Sequence, residues 1–322
     1  MQQFIEQANE LGRQRQPFFF LIDFEQQKPL LCPLEQAKQH NLYFSLPNLS
    51  NVDWQVATPA EPARLSMQPM DFADYLRGFE IVQKGLQHGD SYLLNLTYPT
   101  EIQTNYNFRQ LFQQANAPYK LLLENQFVCF SPEPFVQIRD NQIFTYPMKG
   151  TINADQENAE QKLLNDEKEL REHYTIVDLM RNDLGVVAQQ IEVVRFRYLE
   201  RIQTERGEIL QTSSEICGQL AQNWQTQVGS MLAKLLPAGS ISGAPKESTV
   251  QIIRQAELQP RGYYTGIFGV FTGDNLQSAV AIRYIEQRQD RYFFRSGGGI
   301  TIQSDAHAEY SELLQKVYLP LG

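Results

Sequence analysis

The sequence predicts an α+β fold built on antiparallel sheets, and three observations point to it. Two short apolar segments, FVQIRD and QIFTYPM, flank Asp140-Asn141, which predicts a tight hairpin. Residues 263–302 alternate further strand-like segments with turns. Segments of helical periodicity form separate runs, as at residues 155–184. Strands grouped in hairpins, with helices grouped apart from them, are typical of α+β domains.

The single elements follow from local signals. The apolar segment PFFFLIDF (17–24) predicts a buried strand, and residues 46–66, rich in Pro, Asn, Ser and Ala, predict an irregular connection. Residues 70–88 predict a helix that ends at Gly89, because glycine readily adopts the left-handed conformation of a helix end. The other predicted elements are strands at 91–100, 119–125 and 127–132, a hairpin around Glu205–Gly207, turns at Thr272–Asn275 and Gln287–Asp290, and helices near 225–235, 245–257 and 304–318.

We therefore predict a short N-terminal portion, residues 1–66, packed on a main domain of residues 67–322. The chain is 42% hydrophobic and 20% charged, an ordinary composition for a soluble protein. Its net charge of −9 argues against nucleic acid or an anionic membrane as a partner. No apolar run of about 18 residues, the length that spans a bilayer, occurs in the sequence.

The N-terminus lacks the pattern of a secretion signal. The three cysteines, Cys32, Cys129 and Cys217, lack the spacing of a zinc site or a disulfide scaffold. We therefore expect a cytoplasmic protein in which these cysteines serve as small hydrophobic side chains.

Two pairs of glutamates occur at helical spacing. Glu169 and Glu172 lie three residues apart in an amphipathic segment, and Glu309 and Glu312 repeat this spacing in the last predicted helix. Carboxylates at i and i+3 share one helix face, so the two pairs can supply oxygen ligands for Mg²⁺. Either pair alone also fits a solvated helix face. The segment SGGGIT (296–301) favours a site, because consecutive glycines after a strand let backbone N–H groups approach an anion.

At these residues the sequence resembles the chorismate-utilising enzymes, a family that comprises anthranilate synthase component I, aminodeoxychorismate synthase component I and the isochorismate and salicylate synthases. The resembling stretches follow the family's order: SPEPF (131–135), PMKGT (147–151), ELREHYTIVDLMRNDLG (169–185), AGSISGAPKESTV (238–250), RGYYTGIFG (261–269), AIRY (281–284) and SGGGITIQSDAHAEYSELLQK (296–316). The resemblance implies one large α+β domain, with sheets stacked between helical layers and one active site in a cleft.

The resemblance also implies roles for matching positions. Arg283 would bind the enolpyruvyl carboxylate of chorismate, which a planar guanidinium suits. The magnesium ligands, direct or through water, would be Glu169, Glu172, Glu309 and Glu312, with Mg²⁺ holding the ring carboxylate. Further substrate contacts would come from Tyr264, Thr151, Lys316 and the backbone N–H groups of Gly298 and Gly299. Without the family context, Tyr264 fits a core aromatic equally well.

Two positions bear on which nucleophile attacks the chorismate ring. Lys149 in PMKGT stands where aminodeoxychorismate synthases carry lysine and other members carry a small residue such as alanine. A lysine kept partly neutral by burial or a neighbouring charge is a competent nucleophile, and Glu133 in SPEPF matches the family's general acid. Leu93 stands near the lysine base of isochorismate and salicylate synthases, and leucine cannot activate water. From composition alone, Lys149 also fits a surface lysine at a strand end.

The expected activity is the amination of chorismate at C4 to 4-amino-4-deoxychorismate, on the route to p-aminobenzoate and folate. The sequence carries no Cys-His-Glu glutaminase set, so a separate glutamine amidotransferase subunit is the expected partner and source of ammonia. One alternative is anthranilate synthase component I, which adds ammonia at C2 and eliminates pyruvate. The other is a non-catalytic homologue that binds chorismate.

Two departures from the family pattern concern finer properties. Gln211 stands where many members carry a histidine, so a proton transfer by that residue has no support here. NAPY (116–119) resembles part of the tryptophan pocket of anthranilate synthase, but the leading elements of that pocket are trimmed. We therefore expect weak or no regulation by tryptophan. His173 and His307 receive no role from the sequence.

Overall fold

The strands form two antiparallel sheets that stack face to face. The computed structural model describes residues 1–57, 59–204 and 207–321, and within these ranges each sheet has nine strands. The strands are β1 (Phe18–Ile22), β2 (Leu30–Pro33), β3 (Leu42–Leu46), β4 (Leu49–Ser50), β5 (Leu65–Gln68), β6 (Leu93–Thr104), β7 (Tyr119–Leu123), β8 (Phe127–Ser131), β9 (Pro134–Arg139), β10 (Gln142–Thr145), β11 (Met148–Asn153), β12 (Gln189–Thr204), β13 (Gly207–Gln219), β14 (Gly243–Ala244), β15 (Ile267–Phe271), β16 (Leu276–Val280), β17 (Tyr284–Arg288) and β18 (Arg291–Ile300).

The first sheet has the order β11-β13-β10-β9-β16-β15-β1-β2, with β12 also paired to β13. The second has the order β14-β6-β18-β17-β8-β7-β3-β4, with β5 also paired to β6. Residues 1–66 thus supply strands to both sheets, and the predicted boundary at residue 66 stays a prediction.

Helices cover the outer faces of the sheets. They are α1 (Gln2–Arg13), α2 (Phe72–His88), α3 (Phe108–Gln114), α4 (Ala159–Asn165), α5 (Glu167–Gly185), α6 (Val228–Leu235), α7 (Gly239–Ser242), α8 (Lys246–Ala256) and α9 (Ala306–Gln315), with 3₁₀ helices at Leu34–His40 and Trp224–Gln227. Across the described ranges, none of these helices has the length and apolar character needed to cross a bilayer. The α+β architecture with helical layers is the one that the sequence predicts.

Strand β1 shows why the apolar run at its position is continuous. Phe19 and Leu21 join an apolar cluster with residues of the second sheet, such as Phe44. Phe18 and Phe20 point to the opposite face and join a cluster formed with helices. Because side chains alternate along a strand, a strand covered on both faces is apolar at every position. Burying each of these side chains contributes about 1.5–3 kcal/mol.

Most of the locally predicted elements are confirmed. The hairpin between β9 and β10 turns through Asp140 and Asn141, whose φ angles of 52° and 57° are those of a type I′ turn. Gly89 ends α2 with φ 80°. The pairing of β12 with β13 reaches Thr204 opposite Gly207, whereas Glu205 and Arg206 of that predicted hairpin lie outside the described residues. All three cysteines are free and buried.

A fully buried ion pair joins the end of α8 to the second sheet. The side chains of Arg261 and Glu257 are 1% and 3% exposed, and their charged groups are 2.6 Å apart. Glu257 accepts a hydrogen bond from the backbone N–H of Thr97 at 2.8 Å. Arg261 donates to the backbone carbonyls of Ile241, at 2.9 Å, and Asn95. The pair therefore fixes β6, α7 and α8 relative to one another.

We expect Arg261→Met to lower the free energy of unfolding by about 3–5 kcal/mol, because it leaves the charge of Glu257 buried without its partner. Urea denaturation at pH 7 measures this change. The control is Arg64→Met, which removes the arginine of an exposed pair whose side chains are 75% and 64% exposed. That control should change stability by less than about 0.5 kcal/mol. Similar losses in both variants would contradict the role given to the buried pair.

Candidate active site

Two adjoining cavities lie beside Lys149. The first, of about 290 Å³, contains Glu133 among mostly apolar residues such as Leu93, and we call it the Glu133 cavity. The second, of about 650 Å³, we call the carboxylate cavity, because its lining includes Glu169, Glu172, Glu309 and Glu312. Residues that line both cavities are Lys149, Glu172, Gly299 and Thr301. The cavities thus form one cleft, with Lys149 at their junction.

Strand β11 carries Lys149, and a buried histidine holds the backbone there. The hydroxyl of Thr212 donates to the carbonyl of Lys149, and Nδ1 of His173 lies 3.3 Å from the same oxygen. Nε2 of His173 lies 2.7 Å from Oγ of Ser214. Burial lowers the pKa of His173, so the ring is neutral, with its proton on Nδ1 to meet the carbonyl. His173 therefore positions the strand that carries Lys149.

The amino group of Lys149 is held in its charged form. Its Nζ lies 2.7 Å from Oε2 of Glu172. Burial alone would lower the pKa of Lys149, but the hydrogen bond and charge of Glu172, with the charges of Glu169 and Glu312, raise this pKa above its ordinary value. The result is the opposite of the partly neutral lysine that burial alone would produce.

Each glutamate pair has one member bound to a lysine. Glu172 pairs with Lys149, and Glu312 pairs with Lys316 at 2.6 Å. Lys316 also donates to the backbone carbonyl of Gly297 at 2.9 Å. Both lysine ammonium groups are therefore fixed at the wall of the carboxylate cavity, where they can meet an anion.

Among the described residues, the second member of each pair forms no ion pair with a lysine. Glu309 accepts a hydrogen bond from Ser304 at 2.7 Å, and Oε2 of Glu169 is buried without a partner among the described residues. Burial raises the pKa of both carboxyls. Over the same residues, no three acidic, histidine or cysteine side chains already converge as a metal centre. A bare carboxylate oxygen in an oxygen-rich cavity nevertheless fits a hard cation such as Mg²⁺.

The glycine-rich segment lies within strand β18, not after a strand as predicted. Gly298 pairs with Leu96 of β6, and Gly299 pairs with Asn95. A Cβ atom on Gly298 would lie 3.4 Å from Oε2 of Glu309 and 3.5 Å from Oε1 of Glu312. The glycines therefore leave room for the carboxylates. The use of their N–H groups as substrate donors stays a prediction.

Glu133 lies just before β9 and faces Lys149 across the Glu133 cavity. Its Oε1 accepts a hydrogen bond from Oγ of Ser240 at 2.5 Å. Burial raises the pKa of Glu133, against the opposing effects of Ser240 and the charge of Arg283. Strands β10 and β11 both pair with β13, which brings Glu133 and Lys149 to one cavity. A carboxyl with a raised pKa is suited to act as a general acid.

Three other predicted residues have different surroundings. Thr151 is exposed and lines the carboxylate cavity. Arg283 donates from Nε to the hydroxyl of Tyr318 at 3.1 Å, and Tyr318 lines that cavity. Tyr264 is only 4% exposed and packs in the core between the sheets, with the guanidinium of Arg295 5.2 Å from its ring centre. The substrate roles of these residues stay predictions.

Two residues without an assigned role are also located. His307 is exposed, and its ring stacks on Phe72 with 4.1 Å between the ring centres. Gln211 lies on β13, opposite Thr151 of β11.

The sequence reasoning missed an ion pair behind the Glu133 cavity. Nζ of Lys246 lies 2.9 Å from Oδ1 of Asp183 and donates to the carbonyl of Leu235 at 2.9 Å. A Cβ atom on Gly239 would lie 2.7 Å from Oδ2 of Asp183, so α7 passes close against this pair. Asp183 and Lys246 come from two of the family-like stretches, residues 169–185 and 238–250, and neither residue received a role from the sequence. Their spacing along the chain did not reveal that they meet.

Comparison with known proteins places the chain among relatives of different activity. The model of the chorismate-binding enzyme family matches residues 25–322. A PabA-like protein of Pasteurella multocida is 64% identical over 99% of this chain and 98% of its own length. An anthranilate synthase component 1 of Haloarcula marismortui is 34% identical, over 76% of this chain and 50% of its own. An aminodeoxychorismate synthase component 1 of Klebsiella aerogenes is 33% identical, over 77% and 57%. Sequence identity to this chain is therefore nearly the same for the anthranilate synthase and for the aminodeoxychorismate synthase, and it does not favour either activity.

The fold itself matches that of a solved relative. MenF, the menaquinone-specific isochorismate synthase of Escherichia coli, superposes with a TM-score of 0.74 over 98% of this chain and 80% of its own. The two sequences are 18% identical, so this likeness concerns the fold.

Glu133→Gln should raise the free energy of unfolding at pH 7. Because burial raises the pKa of Glu133 in the fold, folding is favoured when the carboxyl is protonated. That stability is present below the unfolded pKa and is lost as the pH rises through the folded pKa, whereas the amide stays neutral. Denaturation between pH 4 and pH 8 should show the advantage of the variant growing with pH. The exposed Glu157→Gln serves as the control, and an equal trend there would refute the explanation.

Proposed function

The chain belongs to the chorismate-binding enzyme family, and from this membership we propose that it aminates chorismate at C4 to give 4-amino-4-deoxychorismate. The observation that carries the proposal is the position of Lys149, whose side chain lines both the Glu133 cavity and the carboxylate cavity. A nucleophile at this junction can attack a ring whose carboxylates lie in the carboxylate cavity and whose hydroxyl lies in the Glu133 cavity.

The two cavities suit the two ends of the substrate. Chorismate carries two carboxylates and a ring hydroxyl at C4. The ammonium group of Lys316 and the nearby Arg283 are cations that can bind carboxylates. Glu133, whose pKa is raised by burial, lies in the other cavity, where its carboxyl in the protonated form can donate to the hydroxyl. This placement sets C2 of the ring near Lys149.

Reaction begins with loss of a proton from Lys149. The carboxylate of Glu172, 2.7 Å from Nζ, is placed to accept it. The free amine attacks C2, the ring double bonds shift, and the C4–O bond breaks. The hydroxyl leaves as water with the proton of Glu133. Ammonia then bonds to C4, the double bonds shift back, and the C2–N bond to Lys149 breaks with its electron pair returning to the lysine.

The carboxylate cavity would hold Mg²⁺ through Glu169, Glu172, Glu309 and Glu312, direct or through water. Bound there, Mg²⁺ would supply a positive charge for the ring carboxylate. The unpartnered oxygen of Glu169 supports this assignment.

Ammonia would come from a glutamine amidotransferase subunit, and the product would serve p-aminobenzoate and folate synthesis. Free ammonium can replace the partner in a purified system, because the chemistry at C4 needs only ammonia.

Lys149→Ala should abolish the amination, because it removes the nucleophile. The measurement is mass spectrometry of the products from chorismate, Mg²⁺ and an ammonium salt. The wild type should give an aminated product that keeps the enolpyruvyl group, and we expect the variant to form it at least about a hundredfold more slowly.

The matched control is Lys162→Ala, which removes an exposed lysine on the neighbouring helix α4 and should keep full activity. Anthranilate and pyruvate from the wild type would instead assign the chain to anthranilate synthesis and contradict the proposal.

Mg²⁺ should stabilise the fold without any substrate, since binding to the folded state alone raises the free energy of unfolding. At a hundred times its Kd the gain is about 2.7 kcal/mol. Glu169→Gln should reduce this gain, because it removes the bare carboxylate from the cavity. Glu167→Gln, at an 84% exposed position on the same helix, is the control and should keep it. Equal stabilisation of both variants would exclude Glu169 from the cation site.

A further inference from the structure

Asn95 lines the Glu133 cavity, and one polar atom of its side chain lacks a partner among the described residues. Oδ1 of Asn95 is buried and accepts no hydrogen bond from the described residues. Other polar side chains of this cavity are engaged: Glu133 with Ser240, Thr145 with the carbonyl of Phe135, and Thr175 with that of Arg171. An unpaired buried acceptor is costly, so one inside a cavity points to a ligand that donates a hydrogen bond.

The backbone of Asn95 is fixed by the surrounding structure. Its carbonyl accepts a hydrogen bond from the buried Arg261, and the residue lies directly opposite Gly299 in the pairing of β6 with β18. Gly299 has no side chain and lines the same cavity. Leu93, two residues earlier, shares the same face of the strand and also lines the cavity. The amide is thus held in place within largely apolar surroundings.

We propose that Asn95 binds the ammonia that attacks C4, through a hydrogen bond from ammonia to Oδ1. This inference rests on the proposed function, which places C4 next to Glu133 and therefore inside the Glu133 cavity. Four glutamates line the carboxylate cavity and two line the Glu133 cavity, so the carboxylate cavity more strongly favours ammonium, which has no lone pair for attack. A neutral amide accepts a hydrogen bond from ammonia and leaves the nitrogen lone pair free.

The proposed step balances with the residues present. Ammonia, held by one N–H on Asn95, forms the C4–N bond through its lone pair while the C2–N bond to Lys149 breaks. Lysine leaves as a neutral amine. The new ammonium group on C4 then passes a proton to the carboxylate of Glu133, which lost its own proton to the departing water. Asn95 changes neither its charge nor its bonds, so its role is one of positioning.

The test is the dependence of the rate on ammonium at fixed pH, with chorismate saturating and then varied. Asn95→Leu keeps the number and branching of the side-chain heavy atoms and has no acceptor. It should raise the KM for ammonium about tenfold, roughly the worth of one hydrogen bond, and leave the KM for chorismate unchanged. Asn95→Gln keeps a neutral amide acceptor and should restore the KM for ammonium towards the wild-type value. Asn95→Ala replaces the leucine variant if that variant does not fold.

A matched control comes from the same strand. Oγ1 of Thr100 on β6 is also buried without a partner, but Thr100 lies outside both cavities as the described residues define them. Thr100→Val should leave both KM values unchanged.

Mass spectrometry of the Lys149 adduct, formed from chorismate without ammonium, should be the same for the wild type and Asn95→Leu. A wild type that forms no aminated product would overturn the proposed function and this inference together. An active wild type with an unchanged KM for ammonium in Asn95→Leu would overturn this inference alone. A parallel rise of both KM values would also overturn it.

Discussion

The cleft depends on the buried ion pair between Arg261 and Glu257. Burying two charges is costly unless each is fully hydrogen-bonded, and this pair meets the condition by binding the surrounding backbone. The chain is thereby held at Asn95, which lines the Glu133 cavity, and at Thr97 of β6 and Ile241 of α7, two elements that carry other lining residues. A salt bridge with little stabilising value of its own can still impose one arrangement on the segments that it joins. Two of the segments joined here, β6 and α7, form part of the cavity wall.

The carboxylate cavity is organised by a balance of charge. Three lysines line it, and two of them, Lys149 and Lys316, each form a close ion pair with one glutamate of a helical pair. The raised pKa values of Glu169 and Glu309 show that the helices alone do not satisfy these groups. Because α5 and α9 come from distant parts of the chain, the cavity exists only once both helices are packed against the sheets. The arrangement of charges in the carboxylate cavity therefore depends on the complete fold.

Local patterns in the sequence were sufficient for many elements and for the chemistry of single residues. The turn at Asp140 and Asn141 and the doubly buried β1 follow from turn preferences and from apolar continuity. Helix α1 was missed, because it buries few side chains and its N-terminal residue makes no side-chain cap. The glutamate pairs were found because i, i+3 spacing is a local property.

Contacts between residues far apart in the chain could not be predicted from the sequence. The burial of Tyr264, the pairing of Lys149 with Glu172 and the contact between Asp183 and Lys246 join residues far apart in the chain. Their distances depend on how the sheets pair, which no local pattern encodes. The lysine shows this most clearly, since burial and nearby carboxylates act on its pKa in opposite directions. The positions of the carboxylates in the fold decide whether burial or their charge has the larger effect on the pKa of Lys149.

The three successive glycines of β18 are constrained unequally. A Cβ atom on Gly297 would lie 2.3 Å from the carbonyl oxygen of Leu96, so the neighbouring strand leaves no room for even a methyl group. On Gly298 and Gly299 the nearest atoms would be side-chain atoms at 3.4 Å and 3.3 Å. A side chain at the first position would therefore force the two strands apart, whereas at the next two it would take up space beside Glu309 and Leu93 in the cleft. One short stretch of identical residues thus answers to two constraints, one set by the backbone and one by the cleft.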